Sequence, residues 1–102
     1  MALEPLTDQR IASALTELPG WMVKGGALTA SYKGKRDQLP SFYAAVAPAE
    51  DAANHHAQIT ILYNTLTFAL TTHDAGDRIT ERDVSMARTI SGLAQEHGLT
   101  AA

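Results

Sequence analysis

The chain has 102 residues, a formal net charge of −3, 45% hydrophobic and 19% charged residues, and no cysteine. This suits one soluble domain over residues 1–102 with a single modest core, and it excludes disulfides, thiolate catalysis and cysteine-based metal sites. The acidic balance without a Lys/Arg cluster argues against nucleic-acid binding, no apolar run is long enough for a membrane, and without a secretory start the cytoplasm is the expected location.

Leu6-Thr7-Asp8 marks a helix start with Thr7 as N-cap. Ile11, Leu15 and Leu18 follow at helical spacing, and Pro19-Gly20 ends the helix. Residues 21–24 and 27–32 are short strands turned at Gly25-Gly26, with Trp21 as a core anchor. A polar loop, 33–37, leads to a second helix over 39–54. Its inner face is Phe42, Ala45, Val46 and Ala49. Pro48 predicts a kink or break there, since proline removes a helical hydrogen bond.

Ile59–Tyr63 and Leu66–Thr71 are rich in β-branched and aromatic residues, with Asn64-Thr65 between them. This predicts a hairpin, with Tyr63 and Phe68 as core or cross-strand residues. After a loop over 74–78, Thr80-x-x-Asp83 predicts a capping box. A last helix runs from Glu81 to His97 with Val84, Ala87, Ile90 and Ala94 inward and Gly98 as its C-cap. The predicted fold class is α+β, in the order α-β-β-α-β-β-α. It is a four-stranded antiparallel sheet with three helices packed on one face. Unpaired sheet edges predict a homo-oligomer.

The chemistry concentrates in Asp51-x3-His55-His56 and Thr71-Thr72-His73-Asp74. A hairpin brings its far ends together, so His55, His56 and His73 should gather at one end of the sheet. Histidine can give or take a proton near neutrality. A zinc site is disfavoured, because adjacent residues in a regular strand point apart. His97 lies outside the cluster and needs no role beyond packing.

Asp51-x3-His55-His56, Tyr63-Asn64, Thr71-Thr-His-Asp-Ala-Gly76 and Thr80-Glu-x-Asp83, with Glu17-Leu-Pro-Gly-Trp21 before them, resemble the pterin-4a-carbinolamine dehydratase family over most of the chain. The resemblance implies the same helix and strand order, and a homodimer joined through sheets or a homotetramer joined through helices. It implies dehydration of a 4a-hydroxytetrahydropterin to a quinonoid dihydropterin in tetrahydrobiopterin recycling, with no metal and no cofactor. His55 and His73 would be the acid/base pair, and His56 would bind the pterin and share in proton transfer. Asp51 and Asp74 would bind substrate, and Asp83 would support from behind. Where the family usually has proline or another small residue after the His pair, this chain has Ala57. The family also includes dimerisation cofactors, so a non-catalytic role with a protein partner is the alternative. A scaffold descendant would be expected to lose its catalytic histidines, and all three are present.

Overall fold

The computed structural model describes residues 4–102. Its elements are α1 (Asp8–Leu15), β1 (Met22–Lys24), β2 (Ala27–Lys33), α2 (Gln38–Ala53), β3 (Gln58–Leu62), β4 (Thr65–Leu70), a 3-10 turn (His73–Ala75), α3 (Glu81–Glu96) and β5 (Thr100–Ala101). The fold is α+β, in the helix and strand order that the sequence predicts. No helix among the described residues is long and apolar enough to cross a membrane.

Helix α1 starts where Thr7 Oγ1 accepts from Arg10 N at 3.2 Å, satisfying an amide the helix itself cannot. Helix α3 starts at Thr80 with a full capping box: the Thr80 hydroxyl serves the first turn and Asp83 returns to the Thr80 N–H. Gly98, at φ +73, follows its end in the left-handed conformation that glycine favours.

The sheet order is β1-β2-β4-β3, with β5 also on β2, and every pair is antiparallel. Side chains alternate across the strands. Leu28, Ala30 and Tyr32 of β2 and Leu66, Phe68 and Leu70 of β4 are buried, whereas Thr29, Ser31, Thr67 and Ala69 on the other face are half-buried. Phe42 and Val46 of α2 and Val84, Ala87, Ile90 and Ala94 of α3 complete the core. Phe42 meets Phe68 edge-on, with ring centroids 5.7 Å apart. Full burial of side chains this size contributes about 1.5–3 kcal/mol each. Trp21 is the core anchor expected: it is buried, and its Nε1 donates to Tyr32 Oη and Ser91 Oγ at 2.9 and 2.8 Å.

Four expectations are corrected. The sheet has a fifth strand, Thr100–Ala101, too short to show a period in the sequence. Of the kink or break expected at Pro48, the break does not occur: α2 runs as one helix from Gln38 to Ala53. Pro48 and Ala44 are both exposed, so water can reach the carbonyl that loses its partner. The hairpin turn is Tyr63-Asn64, one residue earlier than expected, since Leu62 pairs with Thr65. Tyr63 is therefore no core residue but a turn residue, 74% exposed, at φ +53.

Candidate functional site

Helix α2 stops at Ala53 because Asn54 turns left-handed, at φ 48 and ψ 45, which asparagine tolerates better than most residues. Asn54 N then donates to Asp51 O and His55 N to Glu50 O, each at 3.1 Å. This pair of bonds is a Schellman end, and it reverses the chain at once. His55 is thereby buried, at 7% exposure, and His56 is left on the surface.

His73 arrives from the other strand of the hairpin. Gln58 of β3 pairs with Ala69 of β4, so the chain just before β3 and the chain just after β4 lie at one end of the sheet. Thr72 N donates to Arg78 O at 2.9 Å, closing the loop that contains His73. The three imidazoles do gather: His55, His56 and His73 line one cleft of about 230 Å3, together with Asp74, Thr72 and Arg82. A second groove, of about 510 Å3 between α2 and α3, shares His55 and Arg82 with it.

Each imidazole has its own carboxylate. His55 Nε2 lies 2.5 Å from Asp83 Oδ1, His56 Nε2 lies 2.9 Å from Asp51 Oδ1, and His73 Nδ1 lies 3.1 Å from Asp77 Oδ1. Only the first pair is buried; the other two are exposed and weak as structural contacts. Asp83 Oδ2 accepts from Thr72 Oγ1 and from Thr80 N, both at 2.8 Å. With Asp83 as acceptor of all three bonds, His55 must carry its proton on Nε2. No buried side-chain nitrogen or oxygen among the described residues lacks a partner, and the hydrogen bond of His55 runs through Nε2. Nδ1 is therefore the nitrogen left open.

Of the residues singled out from sequence, His55, His56, His73 and Asp74 line the cleft. Asp51 stands outside the lining and holds His56, and Asp83 stands behind His55. Sequence reasoning assigns three contributors no role, although Thr72 sits inside the Thr71-Thr72-His73-Asp74 stretch. Thr72 is buried and ties Asp83 to Thr80, with 2.7 Å between the hydroxyls. Arg82 Nη2 donates to Ala53 O at 3.0 Å and Asn54 O at 2.9 Å. It thereby satisfies carbonyls at the end of α2 and ties that end to the start of α3. Glu50 is buried beneath the His pair and accepts from Ala57 N at 2.6 Å.

The family model described as pterin 4 alpha carbinolamine dehydratase matches residues 4–93. A protein of Streptomyces coelicolor is 38% identical over 99 residues, covering 96% of this chain and 98% of that protein. One of Thermomicrobium roseum is 46% identical over 91 residues, covering 87% and 96%. Both carry the name "Putative pterin-4-alpha-carbinolamine dehydratase". The crystal structure of a transcriptional coactivator/pterin dehydratase from Brucella melitensis superposes with a TM-score of 0.83 at 31% identity, covering 88% of this chain and 98% of that one.

Proposed function

The chain belongs to the pterin 4 alpha carbinolamine dehydratase family, and on that premise we propose that it removes water from a 4a-hydroxytetrahydropterin by histidine acid/base catalysis, giving a quinonoid dihydropterin in tetrahydrobiopterin recycling. The observation that carries this reading is the convergence of His55, His56 and His73 on one cleft. Breaking the C4a–O bond needs a proton on the departing hydroxyl and the loss of a proton from a ring nitrogen. The oxidation level does not change, so two placed imidazoles suffice.

His55 and His73 form the acid/base pair. His55 works through Nδ1, with Asp83 fixing its tautomer, and His73 through Nε2, since its Nδ1 is turned to Asp77. His56 orients the pterin and shares in proton transfer, held by Asp51. Asp51 and Asp74 accept from the amino and ring N–H groups of the pterin. The cleft is smaller than the roughly 300–1,000 Å3 usual for drug-sized ligands, which suits a flat bicyclic ring whose substituent stays outside.

The test generates the 4a-hydroxytetrahydropterin in situ and follows its dehydration with wild type, His55→Ala and His73→Ala. Wild type should outpace the spontaneous reaction, and each variant should lose more than about tenfold. A folded wild-type protein with no acceleration would sink the reading.

The name of the Brucella protein brings a second reading, a coactivator acting through a protein partner. The three imidazoles in one cleft favour the enzyme. The homo-oligomer remains part of the proposal. It is supported by the edge strand β3 and the turn after it, where Ile61, Leu62 and Tyr63 are 52%, 77% and 74% exposed. Light scattering on the purified protein reads the mass directly, and a monomer would remove it.

A further inference from the structure

Glu50 is 4% exposed, although an acidic side chain is almost never buried without a partner. Two of its atoms hold the segment that follows α2. Its main-chain oxygen accepts from His55 N at 3.1 Å, and its Oε2 accepts from Ala57 N at 2.6 Å. The two amides lie on either side of His56, so one residue pins the backbone at both ends of the histidine pair.

The carboxylate bond is not needed to end the helix. The Schellman end closes α2 with main-chain bonds from Asn54 and His55 alone. Ala57 lies beyond that motif. What the Ala57 bond fixes is the direction of the chain after His56, on its way into β3. The neighbouring Asp51 holds the His56 ring from outside. Adjacent carboxylates thus hold one segment from two sides, the inner one by backbone and the outer one by ring. The inner bond also requires an amide N–H at position 57, which proline would lack.

We propose that Glu50 is a positioning residue: through the Ala57 N–H, its carboxylate sets the backbone that aims His55 and His56 into the cleft. This rests on the dehydratase reading for its effect on rate. Small displacements of reacting groups are expensive, with about 1 Å able to cost on the order of a hundredfold.

The test compares E50Q with E50D. E50Q keeps an oxygen at the same reach and should keep kcat close to wild type. E50D keeps the carboxylate but withdraws it by one methylene, and should lower kcat by at least about tenfold. A plain loss of buried charge would give the opposite order. In an Ala57→Pro background no N–H remains, and the difference between E50Q and E50D should vanish whatever Ala57→Pro does by itself. Amide exchange of Ala57, followed by NMR without substrate, should speed up in E50D and not in E50Q. Equal activity and equal Ala57 exchange in E50Q and E50D would overturn the proposal, as would a difference that survives Ala57→Pro. If wild type shows no turnover, the dehydratase reading fails by itself, and the exchange rates still decide what Glu50 holds.

Discussion

His55 Nε2 and Asp83 Oδ1 lie 2.5 Å apart, with Asp83 fully buried and His55 only 7% exposed. The carboxylate is fully engaged, since Thr72 and Thr80 take its other oxygen. The contact therefore does more than hold a ring. It decides which nitrogen of His55 carries the proton.

Asp83→Asn tests that point with little change in shape. The amide can keep its oxygen on Thr72 and Thr80, which turns its NH2 towards His55 Nε2. That nitrogen must then accept, and the ring proton moves to Nδ1, where it occupies the lone pair through which His55 is proposed to work. The expected result is a kcat lower by about a hundredfold or more, with the tautomer change visible in the 15N shifts of His55. Full activity in a folded Asp83→Asn protein would show that the tautomer does not matter.

Thr72→Val removes one hydroxyl from the same network at nearly constant volume. It leaves Asp83 Oδ2 with the Thr80 amide alone and strips the Thr80 hydroxyl of its 2.7 Å partner. Buried polar groups left short of partners should lower the unfolding free energy by about 1–3 kcal/mol. Urea unfolding measures this. The drop in kcat should be smaller than for Asp83→Asn, because His55 keeps its tautomer.

The histidine cluster was legible in the sequence because a hairpin returns its ends, a consequence that survives a one-residue error in the turn. Asp83 was legible through the capping box, whose spacing is local. Thr72, Glu50 and Arg82 were not, because each acts on a group in another element: Asp83 of α3, Ala57 beyond the helix end, and the carbonyls of Ala53 and Asn54. No periodicity marks such contacts. Tyr63 misled for a different reason. Its β propensity is high, yet it occupies a turn position with positive φ where glycine or asparagine is expected. Asn64 beside it drew the turn one residue too late.

Asp51→Asn separates binding from stability. The Asp51–His56 pair is exposed on both sides, at 75% and 55%. Its removal should change the unfolding free energy by no more than about 0.5 kcal/mol. If the carboxylate orients His56 or accepts from the pterin, KM should rise several-fold while the thermal midpoint stays in place. An unchanged KM would take Asp51 out of the substrate site.

Pro48→Ala probes the proline that α2 carries in its interior without a break. Proline in a helix interior is about 3 kcal/mol less favourable than alanine. Some of that is offset, because proline also stiffens the unfolded chain by about 0.4–1 kcal/mol. Pro48 is exposed, so the substitution removes little packing, and it restores an amide donor for the Ala44 carbonyl. The unfolding free energy should rise by about 1–3 kcal/mol, or roughly 4–8 °C in Tm for each kcal/mol in a domain of this size. Glu50 and Asp51 lie in the turn that follows Pro48, so activity reports whether that turn moves. Higher stability at constant kcat would mean that Pro48 burdens the helix without aiming the site. Higher stability with lower kcat would mean that the local shape proline imposes is what places Glu50 and Asp51 under the histidines. An unchanged midpoint would show that water already satisfies the Ala44 carbonyl and that the helix carries Pro48 without strain.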